Sequence, residues 1–225
     1  MALRAVLFDL DNTLVDFMQM KRVCSEAAIR AMVEAGLGID EGKATRILFR
    51  MYEKHGIEDQ KIFERFLRKV LGKVDYKVLA SGIAAYRRVK AGYLSPYPKV
   101  RETLIKLKSM GLVLAIVSDA PRMQAWLRLA EMNITEFFDV VVALEDTNRL
   151  KPSSMPFRQA LKKLGVKAEE VLFVGDNPER DIKGAKSIGM RTALAKYGQV
   201  TMGKSSPDFV LEEPSEIVKI VKSYT

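Results

Sequence analysis

Cysteine and histidine are nearly absent from this chain of 225 residues, which contains one of each, Cys24 and His55. A single cysteine excludes an internal disulfide, and one cysteine with one histidine cannot supply the ligands of a Cys/His zinc site. A bound metal ion would therefore have to be held by oxygen atoms. Oxygen ligands favour magnesium.

The sequence also lacks long apolar runs and an excess of acidic over basic residues. No apolar run approaches the roughly 18 residues that span a bilayer, and no charged leader with an apolar signal region precedes the first strand, so we expect a cytoplasmic protein without a membrane partner. Lys and Arg total 37 against 28 Asp and Glu, a formal charge of +9. The basic residues are dispersed and accompany no RNA-binding or zinc-finger signature, so we expect a solvated basic face and no nucleic-acid partner.

The most informative stretch is a short apolar run that ends in polar groups. Val6-Leu7-Phe8 predicts a buried strand, and Asp9 and Asp11 follow at its C-terminal end, the edge where parallel sheets build their sites. The two carboxylates are one residue apart, so both project to one side if the chain stays extended. Such a pair favours a divalent cation, although a polar turn that merely starts a helix is the alternative.

The remaining pattern predicts an α/β fold with a helical insertion. Helical periodicity fills residues 16–95 without any strand pattern, and two prolines at Pro96 and Pro98 close this block. Strands and helices then alternate, which is typical of a parallel sheet flanked by helices. We predict a Rossmann-like core of residues 1–15 and 96–225 and an all-α bundle domain of residues 16–95. The predicted helices of the alternating part are Lys99–Met110, Arg122–Met132, Met155–Leu164, Pro178–Ile188 and Pro214–Lys222.

Two later strand ends carry groups suited to phosphate. Ser118 and Asp119 follow the predicted strand Leu112–Val117, where a hydroxyl and the next helix's amides can hold an anion, or where either residue can simply cap that helix. Lys151 precedes a proline, which holds it extended, so it can be aimed at a phosphate oxygen or a carboxylate. A surface position is the alternative for this lysine.

A third strand end is rich in acids. Asp176 occupies the position on its strand that Asp9 occupies on the first, so the two could share one cation. Asp181 lies one turn later, where it could hold a metal-bound water or pair with Lys151. The alternative is that these acids only stabilise the N-terminus of a helix through its dipole.

The order and placement of these groups resemble the haloacid dehalogenase superfamily over nearly the whole chain, with the helical insertion as the family's cap domain. The four family motifs match Asp9-Leu10-Asp11-Asn12-Thr13, Ser118, Lys151-Pro152 and Gly175-Asp176-Asn177-Pro178-Glu179-Arg180-Asp181. The chain departs from the family pattern at Asn12, where glycine is usual, at Asp119, where asparagine is common, and at Ser153-Ser154-Met155-Pro156, which replaces a proline-acid-proline run.

The resemblance implies a magnesium-dependent phosphomonoesterase that forms an aspartyl phosphate. Asp9 would be the nucleophile, Asp11 would protonate the leaving group and activate water, and Lys151 would stabilise the transferred phosphoryl group. Mg²⁺ would be bound by Asp9, Asp176 and the backbone carbonyl of Asp11. The implied substrate contacts are Thr13, Ser118, Asp119 and Lys151, and the implied outer residues of the metal site are Asn177 and Asp181.

The presence of Asp11 indicates which of the reactions known in this family to expect. A dehalogenase needs only the nucleophile, so the second aspartate favours phosphoryl transfer to water from a small-molecule phosphate ester. A phosphosugar mutase of the same superfamily is the alternative enzyme, and a non-catalytic protein that binds a phosphorylated metabolite is the alternative outside catalysis. We expect a monomer or a homodimer.

Overall fold

The computed structural model describes residues 2–224. It divides into two compact units, one of Met1–Phe17 with Ser95–Thr225 and the other of Met18–Leu94. The first unit contains a parallel sheet of six strands in the order β3-β2-β1-β4-β5-β6. The strands are β1 (Ala5–Phe8), β2 (Val113–Val117), β3 (Val140–Val142), β4 (Val171–Gly175), β5 (Arg191–Ala195) and β6 (Phe209–Leu211).

The strand order places a switch point beside β1. Phe8 lies opposite Ile116 of β2 on one side and Val174 of β4 on the other. The chain runs outward from β1 through β2 to β3 and then returns to β4 on the other side of β1. In open parallel sheets the crevice at such a reversal is where sites are built, because the connections on either side leave in opposite directions.

The second unit is helical among the residues that the structure describes. Asp40 accepts a hydrogen bond from Lys43 N at 2.8 Å and so caps the second helix of this unit. The core of this helical unit contains the buried side chains of Met32, Leu48 and Phe66. Every helix in residues 2–224 is too short or too polar to span a bilayer. The helices that form this unit are α1 (Phe17–Glu34), α2 (Glu41–His55), α3 (Ile62–Leu71) and α4 (Tyr76–Tyr93).

Helices flank the sheet of the first unit, so the predicted α/β class is confirmed. Two predicted helices begin differently from the prediction. Pro178–Ile182 forms a π-helical turn, because Asp181 N and Ile182 N both donate to Asn177 O, and Pro214–Glu216 forms a 3₁₀ turn. The helices of this unit are α5 (Val100–Ser109), α6 (Arg122–Glu131), α7 (Leu144–Thr147), α8 (Ser154–Leu164), α9 (Lys183–Lys186) and α10 (Ile217–Lys222).

Two segments of the first unit meet where the chain leaves it and returns. Val15 forms an isolated antiparallel bridge with Pro96, and Tyr97 N donates to Leu14 O at 2.8 Å. These backbone contacts fix the segment that follows the Asp9–Asp11 motif. The prolines therefore lie at a bonded junction.

Gly82 lies within α4, and its lack of a side chain is required for packing. A β-carbon there would lie 2.1 Å from Met32 Cε and 2.8 Å from Met32 Cγ. Gly82→Ala is expected to lower the free energy of unfolding by about 1–3 kcal/mol through overpacking. Gly92→Ala in the same helix is the control: it meets nothing within 4 Å and is expected to raise that free energy by about 0.5 kcal/mol. Equal shifts of the two urea-unfolding midpoints would contradict this account.

Candidate active site

Three aspartates converge at the switch point of the sheet. Asp9 follows β1 directly and Asp176 follows β4 directly, and Asp9 N donates to Val174 O at 2.8 Å. One carboxylate oxygen from each of Asp9, Asp176 and Asp181 lies within 4.8 Å of the others, and all three residues are buried. The structure thus brings together the acids of two strand ends and one helical turn.

Lys151 lies among these carboxylates. Its Nζ is 2.7 Å from Asp9 Oδ1 and 2.7 Å from Asp181 Oδ1, and it donates to Val117 O at 3.1 Å. Its side chain is fully buried, so the alternative of a surface lysine does not hold. Burial lowers the pKa of Lys151, but the Asp181 and Asp9 carboxylates raise it above its usual range. Lys151 is therefore a fixed cation at the centre of the cluster.

Negative charge exceeds positive charge in this cluster. Burial, followed by the Asp9 and Asp181 carboxylates, raises the pKa of Asp176 to about 8. Burial also raises the pKa of Asp181 to about 6, although Lys151 opposes the shift. Asp176 Oδ1 is buried without a hydrogen-bond partner among the described residues. A divalent cation would supply both the missing charge and the missing partner, so the donor set fits an oxygen-coordinated ion such as Mg²⁺.

The π-helical turn places Asp181 against the end of β4. Asn177 N donates to Asp181 Oδ2 at 3.0 Å, and Asn177 Oδ1 accepts from the backbone of Glu179 and Arg180. A β-carbon on Gly175 would lie 2.6 Å from Asp181 Cγ, so only glycine allows this approach. Because Asn177 caps the turn, Asp176 and Asp181 are not needed for capping, and the helix-dipole alternative does not account for them.

Ser118 and Asp119 do not cap α6. Ser118 Oγ accepts from Ala120 N at 3.1 Å, and Pro121 occupies the N-cap position without a side-chain hydrogen bond. Asp119 accepts from Lys151 N at 2.9 Å and from Arg180 Nη1 at 3.2 Å. One carboxylate oxygen of Asp119 thus accepts from a backbone amide and the other from the guanidinium of Arg180, which lowers its repulsion of an anion nearby.

The loop after Asp9 adopts a conformation suited to asparagine. Asn12 has φ of 58°, in the left-handed region that asparagine tolerates better than most residues. Thr13 is fully buried, and its Oγ1 has no hydrogen-bond partner among the described residues. Tyr197 OH donates to Thr13 O at 2.9 Å, and a β-carbon on Gly198 would lie 1.7 Å from Asn12 O. The turn after β5 therefore supports this loop, a contact that the sequence did not predict.

Arg128 is a residue of this site that the sequence analysis missed. Its Nη1 donates to Asp11 Oδ2 at 3.0 Å, and its guanidinium lies 4.3 Å from the centroid of the Phe17 ring. Helical spacing places it beside Ala125 and Leu129 on the buried side of α6. A basic residue within an apolar stripe was the signal that could have identified it.

The sheet and this centre define an α/β enzyme with a carboxylate–lysine site. The sequence model for the haloacid dehalogenase-like hydrolases matches residues 6–195, and the chain belongs to that family of hydrolases. It is 37% identical to the glyceraldehyde 3-phosphate phosphatase of Methanocaldococcus jannaschii over 98% of each chain. It is 31% identical to the phosphoglycolate phosphatase of Aquifex aeolicus, over 99% of this chain and 98% of that one.

Solved structures agree with this assignment. A haloacid dehalogenase-family phosphatase from Thermococcus onnurineus superposes with a TM-score of 0.71 at 26% identity, covering 97% of this chain and 98% of that one. A putative β-phosphoglucomutase from Thermotoga maritima superposes with a TM-score of 0.75 at 23% identity, over 99% of this chain and 100% of that one, and shows the shared fold. The predicted family and the predicted hydrolase class are both confirmed.

Proposed function

We propose that this chain is a magnesium-dependent phosphomonoesterase that acts on the phosphate ester of a short carbon chain. The cluster of Asp9, Asp176 and Asp181 around Lys151 is the observation on which the proposal rests, because it combines a buried carboxylate, a fixed cation and a donor set for Mg²⁺. Full-length relatives named for glyceraldehyde 3-phosphate and phosphoglycolate support both the phosphatase activity and the size of the substrate.

In the proposed reaction Asp9 attacks phosphorus, and the bond between phosphorus and the ester oxygen breaks as Asp11 gives that oxygen a proton. Water then attacks the phosphorus of the aspartyl phosphate while Asp11 takes a proton from the water. The bond to Asp9 breaks, and inorganic phosphate leaves. Atoms balance, since one water is consumed and the enzyme returns to its starting state.

The other residues hold charge and position. Asp9, Asp176 and the backbone carbonyl of Asp11 would hold Mg²⁺, which when bound lowers the repulsion between the nucleophile and the phosphate. Lys151 neutralises Asp9 and a phosphoryl oxygen, and the hydroxyls of Thr13 and Ser118 donate to phosphoryl oxygens. Asn177 and Asp181 would lie outside the direct ligands of the metal ion and orient the side chains that bind it.

The side chain of Asp119 takes a structural role, and the substrate contact that the family resemblance implied for this residue stays a prediction. Its two oxygens bind Lys151 N and Arg180 Nη1, so they are not available to an anion, which they would in any case repel. We assign Asp119 to holding the backbone of Lys151 in place. The hydroxyl of Ser118 then remains as the anion contact of this strand end.

Release of inorganic phosphate from a panel of two- to six-carbon phosphate esters tests the proposal. We expect hydrolysis of short esters that requires Mg²⁺, is abolished by EDTA and returns when Mg²⁺ is restored. Transfer of phosphate between positions of a sugar without net release would identify a mutase instead. Binding of a phosphate ester without turnover at saturating Mg²⁺ would identify a non-catalytic binding protein.

Asp11→Asn is expected to slow hydrolysis of alkyl phosphates by about 10²-fold, because an amide can neither donate nor accept the required proton. Mg²⁺ affinity should change little, since the backbone carbonyl is retained. Titration of activity with Mg²⁺ separates the two effects. A collapse of Mg²⁺ affinity with kcat preserved would contradict the division between side chain and backbone.

A further inference from the structure

Arg128 carries a positive charge into the interior of the first unit. Its side chain is 4% exposed on the core side of α6. Burial of a guanidinium is costly, and an apolar side chain would fill the same volume with less loss of hydration. A buried arginine in such a place therefore needs an explanation beyond packing.

The contacts of Arg128 direct that charge toward Asp11. Nη1 donates to Asp11 Oδ2 at 3.0 Å, and the Phe17 ring lies under the guanidinium at 4.3 Å. The Asp11 carboxylate is thereby held toward α6, while the carboxylates of Asp9, Asp176 and Asp181 lie within 4.8 Å of one another. Two carboxylates that lie one residue apart in the chain thus face different partners: Lys151 for Asp9 and Arg128 for Asp11.

We infer that Arg128 is a positioning residue for Asp11, which fixes the carboxylate in one rotamer for proton transfer to the leaving group and from water. This inference rests on the proposed function. The Asp11 side chain has two rotatable bonds, and proton transfer requires its oxygen within hydrogen-bond reach of the substrate oxygen. A charge-assisted hydrogen bond from an arginine that is itself held by an aromatic ring restricts both bonds.

Arg128→Gln tests the inference through the choice of leaving group. A 4-nitrophenolate leaves without a proton, whereas an alkoxide needs one, so only alkyl phosphates depend on Asp11 in the first step. The ratio kcat/KM reports the steps up to formation of the aspartyl phosphate and leaves out the later attack of water, which uses Asp11 with both substrates. We expect kcat/KM to fall by roughly 30- to 100-fold with the best alkyl phosphate and by less than about threefold with 4-nitrophenyl phosphate. Arg128→Lys keeps the charge and should recover part of the alkyl rate. Equal losses with both substrates would indicate a structural role only and would overturn the inference.

A double-mutant cycle provides the second test and also covers poor folding of the single variant. In the Asp11→Asn variant, the partner of Arg128 is already a neutral amide. The further change Arg128→Gln therefore leaves no unpaired carboxylate behind. If Arg128 acts through Asp11, its loss in that background should change the alkyl phosphate rate by less than about twofold. A further loss as large as in the wild type would show that Arg128 acts independently of Asp11.

Arg191→Gln is the matched control. Arg191 begins β5, at the amino ends of the strands and so at the other end of the sheet from Asp9 and Asp176. It is partly buried and its guanidinium lies 4.5 Å from the centroid of the Tyr224 ring, so it has the aromatic contact without the contact to an aspartate. The kinetics of the Arg191→Gln variant should equal those of the wild type with both substrates.

The proposed function and this inference fail in different ways. If the wild type releases no phosphate, the proposed function is wrong. If Asp11→Asn shows the leaving-group dependence and Arg128→Gln does not, only this inference is wrong.

Discussion

Replacement of Asp9 by asparagine is expected to remove phosphate release almost entirely, with a loss in kcat of at least about 10⁴-fold. The amide has nearly the shape of the carboxylate but is a poor nucleophile, so the first covalent step fails. The fold should persist, because Lys151 keeps its contact of 2.7 Å with Asp181 and is not left as a lone buried cation. Rapid quenching followed by intact mass measurement should show a phosphorylated wild type and an unmodified variant.

Asp139→Asn is the control for this change. Asp139 precedes β3 at the opposite edge of the sheet, where it pairs with Lys108 at 2.9 Å and accepts from Leu114 N at 3.0 Å. The same chemical replacement there should leave kcat unchanged. If Asp9→Asn retains activity within about tenfold of the wild type, another group is the nucleophile.

Replacement of Asp176 by asparagine should produce the second largest loss, about 10³-fold in kcat at Mg²⁺ concentrations that saturate the wild type. Asp176 supplies a buried oxygen without a hydrogen-bond partner in residues 2–224, which is the ligand that a cation would need from β4. Mg²⁺ should raise the Tm of the wild type and have little effect on that of the variant. A variant that Mg²⁺ still stabilises as strongly would exclude Asp176 as a ligand.

The same variant should remove one contribution to the pH dependence of stability in the metal-free protein. Because the pKa of Asp176 is raised from 3.8 to about 8, the folded chain keeps a proton there that the unfolded chain has already released. The contribution of Asp176 to the stability of the metal-free wild type therefore falls as pH rises from about 4 to about 8. Asparagine does not titrate, so in EDTA the variant should have the higher Tm at pH 8 and lose this advantage near pH 4. Thermal scans across this range provide the measurement.

The parts of the fold and site that are local in sequence were predictable. Short apolar runs separated by helical stretches specify parallel strands, and the polar residues that end β1 and β4 must then lie at one edge. Lys151 and Asp181 were expected to be able to pair on this basis, and their atoms lie 2.7 Å apart. The alternation of apolar and polar segments contains this information without any knowledge of packing.

The contacts that were missed join distant parts of the chain. Tyr197 OH and Thr13 O belong to residues 184 positions apart, and Arg128 and Asp11 are 117 positions apart. Helical spacing shows which face of α6 is buried but not which group that face meets. The π-helical turn before α9 was missed for a similar reason, because it depends on how closely Asp181 approaches the glycine that ends β4.

The bridge between Val15 and Pro96 has a consequence for how this enzyme can change. The two ends of the helical segment are fastened to each other by backbone hydrogen bonds within the sheet-containing unit. Another segment, or a short connecting loop, could join the same two backbone positions. The entropy cost of loop closure would differ little, because it depends only weakly on loop length. The segment between Val15 and Pro96 can thus be exchanged as one module while the strand ends that carry Asp9 and Asp176 stay as they are.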